Sequence, residues 1–415
     1  MNILASVYAC SPYDGSERAV GWNWIVQLNK YHSITALTSH VYKKDIEDYL
    51  QNNPNELTNT KFIYIDVPHT NWHVGYNLER LYYILWQRQA VKIAKQLVKK
   101  EKFDLIHHIT YVTCILPTYM YELGIPFLYG PVSGGENTPS VIGYPMNCKQ
   151  RIIELVRAAS QFFFRSTPNF TKTMNGSNLI LVTTDETKGL IPAKYHNKIQ
   201  LFQSIGLDDD IFYPEPQIKD NKTVQFLVAG RMLYWKGFEL AIRSFVKAID
   251  EGCIAELTIL GDTENNPSYE QHKKYLQKLS GPHLDKEIHF VSNVPHNEMK
   301  EFYDRFDCLI NCSLRDSGCF IVMEGMSRGL PLICVNTGGP KINTTNECAI
   351  KIDPAPMGEM INDISKSIIV MTQNKEMRER MGKEARRYAF GTFRISYRTR
   401  KMNEFYKLVV ENTEQ

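Results

Sequence analysis

Residues Val224–Phe245 read VQFLVAGRMLYWKGFELAIRSF. Val224–Ala229 is a nearly continuous apolar run of strand length, as expected for a parallel strand covered on both faces. Gly230 allows a tight turn, a basic loop follows, and Gly237 opens an amphipathic helical pattern. Arg231 and Lys236 flank the turn, five residues apart. Two cations at a strand-to-helix turn suit a diphosphate, because the helix N-terminus adds unpaired N–H groups. Read alone, the same spacing also fits a solvated basic loop.

The same alternation recurs along the chain. The spacing predicts strands at Asn2–Tyr8, Ile34–Leu37, Phe62–Val67, Leu105–His108, Phe127–Tyr129 and Leu179–Val182 in the first half. In the second half it predicts Val224–Ala229, Glu256–Leu260, Ile288–Val291, Cys308–Asn311 and Leu332–Val335. Helical spacing runs between Leu78 and Leu97, with apolar Leu81, Leu85, Ile93 and Ala94. Two blocks of strand–helix alternation imply two doubly wound α/β domains. Ile205–Lys222 (IGLDDDIFYPEPQIKDNK) has little periodicity and reads as the linker and hinge. The expected domains are 1–205, 206–390 and a closing helix, 391–415, that packs back on the first. Ligands of such folds bind at the carboxyl ends of the strands, so two facing domains would share one cleft.

Composition narrows the class. The chain has 415 residues, 43% hydrophobic and 22% charged, which suits two soluble globular domains. The net charge of +3 gives no case for nucleic acid. MNILASVYA reads as a buried strand and not a signal peptide, and no run reaches the ~18 apolar residues of a membrane span. Nine cysteines (10, 114, 148, 253, 308, 312, 319, 334 and 348) form no Cys-x-x-Cys pair. They read as small reduced hydrophobes in the cytoplasm. The histidines lack metal-ligand spacing.

A second motif fills Cys308–Gly339, CLINCSLRDSGCFIVMEGMSRGLPLICVNTGG. It reads as a strand, a polar loop, a helix near Cys319, a Gly-Leu-Pro stop and another strand. Asp316 lies in the loop and Glu324 in an otherwise apolar helix, eight residues apart with Gly318 between. A carboxylate among Phe320, Ile321, Val322, Met323 and Met326 needs a partner, and sugar or ribose hydroxyls are good donors. As a lone pair, these are equally a capping acid and a surface Glu.

Together the two segments resemble the donor site of family-four retaining glycosyltransferases of the GT-B fold. SIGLDDDIFYP, AELTILGD, HFVSNVPHNEMKEFYDRFDCLINCSL, ACSPYDGSERAVGWNW and HHITYV…GIPFLYGPVSGGENTP extend the likeness over nearly the whole chain. The resemblance implies that Arg231 and Lys236 bind the donor diphosphate, beside Gly230, and stabilise charge on the departing nucleotide. Glu324 would accept from the ribose. Asp316, where the family has Glu, would contact the transferred sugar. Ser317-Gly318-Cys319 stands for the family's Gly-aromatic-Gly turn, with backbone N–H groups of Gly318, Cys319 and Phe320 available. The implied donor is a UDP- or GDP-linked sugar with no cofactor or metal. The implied acceptor is a glycan or lipid-linked hydroxyl, in cell-surface polysaccharide synthesis. The alternative is a non-catalytic carbohydrate-binding partner subunit.

In the first half, Gly15 lets backbone approach phosphates or acceptor, and Ser16 either joins it or caps the helix near Glu17. His107 or His108 is the candidate sugar contact. Gly134, Gly135 and Glu136, in the loop GPVSGGENTP (Gly130–Pro139), are candidates for acceptor binding. Lys149–Lys172 is a basic amphipathic helix. It either lies on an anionic inner-membrane surface or packs its apolar face on the first domain.

Overall fold

The computed structural model describes all residues except 14, 16, 68–78, 117, 205, 217–220, 263–265, 293 and 415. The chain forms two compact units: Met1–Gly135 with Leu155–Ile205 and Ile395–Gln415, and Glu136–Glu154 with Gly206–Arg394.

Unit 1 contains β1 (Asn2–Val7), α1 (Glu17–Asn29), β2 (Ser33–Ser39), α2 (Lys43–Asn52), β3 (Thr60–Ile65), α3 (Glu79–Leu97), β4 (Leu105–Thr110) and β5 (Phe127–Val132). α4 (Cys148–Arg165) starts among the residues of unit 2 and ends among those of unit 1. α5 (Pro168–Gly176), β6 (Leu179–Val182), α6 (Asp185–Leu190) and β7 (Ile199–Leu201) follow. The seven strands form one parallel sheet in the order β3-β2-β1-β4-β5-β6-β7.

Unit 2 contains β8 (Val224–Arg231), α7 (Phe238–Asp250), β9 (Ala255–Asp262), α8 (Pro267–Leu279), β10 (Ile288–Val291), α9 (Met299–Tyr303), β11 (Cys308–Asn311), α10 (Phe320–Ser327), β12 (Leu332–Val335), α11 (Gly338–Asn343), β13 (Ala349–Ile352), α12 (Met357–Gln373) and α13 (Lys375–Thr392). Its six strands are also parallel, in the order β10-β9-β8-β11-β12-β13. α7 buries Phe238, Ala241, Ile242, Phe245 and Ala248, the helical spacing that turns one face to the sheet. Each fully buried large apolar side chain contributes about 1.5–3 kcal/mol.

Three expectations need correction. First, residues 136–154 belong to unit 2, where Ile142 and Tyr144 enter the core with Phe238 and Phe245. Burial of those two side chains outweighs their closeness in sequence to unit 1. Second, the described part of the linker is not loose. Leu207 and Phe212 are buried, and Leu207 N–H donates to the Phe393 carbonyl at 2.8 Å. Arg328, itself buried, donates to the Ile211 and Pro214 carbonyls at 2.7 and 2.9 Å while gripping Asp304 with two bonds. Ile205 and residues 217–220 lie outside the described residues. Third, the buried face of α3 is rotated from the expected one: Ala94 is buried as expected, Leu85 and Ile93 only in part, and Leu78 lies outside the described residues. Leu81 is exposed, and Tyr82, Tyr83, Trp86 and Gln87 are buried.

The closing helix α14 (Ile395–Glu414) belongs to unit 1. Its Tyr406 bonds His107 at 2.7 Å, and its Arg398 lies over the Phe202 ring at 3.9 Å.

Candidate functional site

In unit 2 the chain winds from β8 outward to β9 and β10, then returns to lay β11 on the other side of β8. The winding reverses there, and open α/β sheets bind ligands beyond the carboxyl ends of two such strands. Two loops meet at this point. The first, after β8, carries Arg231 and Lys236 into α7. The second, after β11, carries Asp316, Gly318 and Cys319 into α10.

The fit between the loops is steric as well as ionic. Gly237 has φ 71°, and a Cβ there would stand 1.8 Å from the Cys312 carbonyl oxygen. Only glycine admits both the left-handed turn and that approach. Lys236 donates to the Asp316 carboxylate, and the pair is largely shielded from water. Desolvation and Arg231 oppose the ammonium charge, but Asp316 outweighs them and holds the Lys236 pKa above its usual value. Gly339 N–H donates to the Asp316 carbonyl and Asn343 to the Gly318 carbonyl, both at 2.7 Å, so the second loop is fixed from behind.

Arg231 is exposed at the end of β8, with Gly230 before it at φ 149°. Cys319 occupies the left-handed region, φ 54° and ψ 59°, at the start of α10. That conformation costs a non-glycine residue on the order of 1–2 kcal/mol. Its buried sulfur accepts from Asn311 at 3.3 Å, and burial, with Asp316 nearby, pushes the thiol well up. Among the described residues neither α7 nor α10 has a side-chain cap on its first turn. The N–H groups there, including that of Phe320, suit an anion. Glu324 has the partner its apolar helix demands: the buried Tyr303 hydroxyl donates to its Oε2 at 2.7 Å.

Five residues of this site escape a reading of the sequence. Arg315 is buried beside Asp316; its guanidinium lies 3.2 Å from the Glu154 carboxylate and 4.3 Å from the Trp235 ring centroid. Tyr234 donates to the same Glu154. Arg315 thus touches the residue next to Lys236 and is itself next to Asp316, bracing the ion pair from both sides. The aromatic pair beside Lys236 was a visible signal. Glu154, about eighty residues earlier, and Tyr303 carried none.

Unit 1 treats its candidates differently. Gly15 is exposed with open space around it, and Ser16 lies outside the described residues. His107 is fully buried and does not meet the expectation of a sugar contact. Nε2 bonds the Gly130 carbonyl at 2.6 Å and Nδ1 the Tyr406 hydroxyl at 2.7 Å. A carbonyl can only accept, so Nε2 carries the proton and Tyr406 donates. His108 is also buried, 3.3 Å from the Tyr111 carbonyl. Burial pushes their pKa values down to about 3 and about 4, so both rings are neutral. Gly134 and Gly135 are pinned: Gln161 donates to the Gly134 carbonyl at 2.7 Å, and a Cβ on Gly135 would stand 2.4 Å from the Glu186 carbonyl oxygen. Glu136, expected in the same acceptor loop, is buried and opens the segment that belongs to unit 2.

The reversal point of unit 1 lies between β1 and β4. Tyr8, just past β1, packs on Tyr111, just past β4, with ring centroids 5.1 Å apart. Tyr111 donates to Glu79, and Glu17 accepts from the Val112 N–H. Burial pushes the Glu17 carboxyl up to about 7.

Residues 209–388 match the family described as glycosyl transferases group 1. A putative glycosyltransferase of Bacillus subtilis, YtcC, is 27% identical over 202 residues, 46% of this chain and 47% of that protein. The chain spans less than half the length of the curated relatives it matches. Over 99% of both chains it resembles a glycosyltransferase from Rickettsia africae, with TM-score 0.67 at 16% identity. Anabaena Alr3699/HepE, solved with UDP and glucose, gives TM-score 0.62 at 11% identity over 98% and 99% of the two chains. The chain therefore has the two-sheet GT-B fold, and its residues 209–388 carry the likeness to the glycosyl transferases group 1 family.

Proposed function

We propose that the chain transfers a sugar from a nucleoside diphosphate sugar to a hydroxyl of a glycan or lipid-linked acceptor, with retention at the anomeric carbon. The observation that carries this reading is the Lys236–Asp316 pair, set at the β8/β11 reversal between two uncapped helix starts. The family match and the UDP bound by the Anabaena relative support it.

The hard step is departure of the nucleoside diphosphate from an oxocarbenium-like sugar. Arg231, Lys236 and the α10 N–H groups would stabilise that growing negative charge in advance. As the phosphate takes Lys236, Asp316 is freed to accept from the sugar hydroxyls. Glu324, oriented by Tyr303, would accept from the ribose. In this reading fixed cations do the work that a divalent ion does elsewhere, so turnover persists in EDTA.

One observation favours the non-catalytic alternative: unliganded Lys236 is already satisfied by Asp316, a shorter acid than the family's Glu. The test is to incubate the purified chain with UDP-, GDP- and ADP-sugars and follow free nucleotide and acceptor elongation. Release without the acceptor's growth is hydrolysis. Tight donor binding without release overturns the transferase reading and leaves the binding subunit.

The same reading sets the chain at the cytoplasmic face of a membrane, making cell-surface polysaccharide. No described helix is long and apolar enough to cross a membrane. α4 instead exposes Leu155, Val156, Phe162 and Phe163 along one side, at 69, 62, 76 and 65%. Lys149 and Arg165 are exposed on the same helix, the pattern of a helix lying on an anionic surface.

A further inference from the structure

Unit 1 contains an apolar cavity of about 180 Å³ between α3, the loop after β4, and α5. Ile84, Cys114, Ile115, Leu116, Phe170 and Met174 line it, and no charged side chain is among the described lining residues. Asn169 and Thr173, at its margin, are engaged elsewhere. Asn169 accepts from Tyr121 and donates to the Thr118 carbonyl, and Thr173 donates to the carbonyls of Thr118 and Asn169. A lining without charged side chains offers a phosphate no counter-charge. An apolar cavity of about 150 Å³ stays dry and accepts a hydrocarbon the size of benzene.

The cavity reaches the last turn of α4. Phe164 lines it, and the Phe164 ring meets the ring of exposed Phe163 edge-on, with centroids 5.4 Å apart. Arg165 and Lys172 stand exposed on either side of the α4–α5 junction. Each is next in sequence to a lining residue, Phe164 or Thr173; such cations complement an anionic lipid headgroup, and the lining complements its tail.

We propose that this cavity holds the end of a lipid hydrocarbon chain, acyl or isoprenyl, drawn from an anionic membrane on which α4 rests. The proposal deepens the reading of a membrane-borne acceptor and depends on it for the source of the lipid. It is independent of the donor chemistry. A tail in the cavity would hold its headgroup beside Arg165 and Lys172, so recognition would lie in the chain end and the charge. Each methylene transferred from water strengthens binding about fourfold, and the cavity's size limits the gain to roughly six or seven carbons.

Two arms test the cavity and the membrane separately. In the first, the full chain meets monomeric diazirine-bearing alkyl phosphates of four to twelve carbons, without vesicles. The expected result is crosslinking to peptides containing 114–119 and 164–174, affinity rising about fourfold per carbon and then levelling. Ile84→Trp, or the milder Ile84→Phe, fills the space and removes the label while leaving the far-ultraviolet spectrum unchanged. Labelling confined to Leu155–Phe163, or unaffected by both fillers, overturns the cavity. So does a length series that never levels. In the second arm, the chain is pelleted with vesicles of phosphatidylcholine, with and without phosphatidylglycerol. Binding only to the anionic vesicles, lost in Phe162→Ser/Phe163→Ser, supports the surface. No pelleting with either vesicle overturns the membrane source, whatever the first arm shows.

Discussion

The two sheets reverse their winding in the same way, yet they end in opposite chemistry. Beyond β8 and β11 stand Arg231, Lys236 and Asp316, with two helix starts that no side chain caps. Beyond β1 and β4 stand Tyr8, Tyr111, Glu17 and Glu79, aromatic rings and acids, with Arg18 engaged by the Tyr42 hydroxyl. A cationic end suits a diphosphate. An end rich in tyrosines and carboxyls suits a neutral, hydroxyl-rich ligand, whose O–H groups donate and whose ring faces stack. The topology supplies only the place. A few residues past each strand decide which chemistry can sit there.

The sharpest way to break this contrast is to remove the positive charge. Arg231→Ala is expected to lower kcat by about 10²–10³, as for loss of one preorganised donor. Lys236→Ala should do the same and also leave Asp316 without its partner. Steady-state kinetics on a variant with unchanged circular dichroism checks both. An unchanged kcat for Arg231→Ala would remove it from the site.

The brace behind the ion pair comes next. Arg315→Ala would leave Glu154 half-buried without its guanidinium, and removing one partner of a buried pair costs about 3 kcal/mol or more. The same change is expected to raise the donor KM, because Lys236 and Asp316 lose their shared support. Arg315→Lys keeps the charge but loses the stacking on Trp235, so it should recover stability in part and KM least. Equal recovery of both would reduce Arg315 to a purely structural role. Tyr303→Phe is milder. A bond to a charged acceptor is worth about 1.5–3 kcal/mol, so the donor KM should rise roughly ten- to a hundredfold with kcat little changed.

Much of the fold was legible because buried parallel strands are short and continuously apolar. All eleven expected strands are present, displaced by no more than a few residues at their ends. The two that escaped are β7, three residues long with two of them exposed, and β13, whose AIKI alternates with a lysine. Neither carries an apolar run. Pieces of the candidate site could be read where residues are close in sequence, Arg231 and Lys236 after β8 and Asp316 before α10. The site was illegible where the fold joins distant segments. Nothing near Glu154 announces Arg315, and the buried pair His107–Tyr406 spans 299 residues. Two histidines ending a strand at a sheet's carboxyl edge look like ligands for a sugar. The alternation of a strand turns one of them inward to α14, and burial keeps both uncharged.

The smallest expected effect separates the two ends by pH. Glu17 has its carboxyl pushed up to about 7 by burial, against an unfolded value near 4.3. The folded chain therefore binds this proton more tightly, and stability falls as pH rises from about 4.3 through 7. His107 and His108 act in the opposite sense. Their folded values of about 3 and about 4 lie below an unfolded 6.5, so stability falls as pH drops below 6.5. Glu17→Gln keeps an acceptor for the Val112 N–H and removes the charge. It should raise the melting temperature at pH 8, where the native carboxylate is ionised and desolvated. At pH 5 the native group is already protonated, and the gain should largely vanish. Thermal scans of both chains from pH 5 to 8 make the comparison directly. A gain as large at pH 5 as at pH 8 would mean that Glu17 is ionised throughout, and that the acidic end of unit 1 holds its charge as firmly as unit 2 holds Lys236.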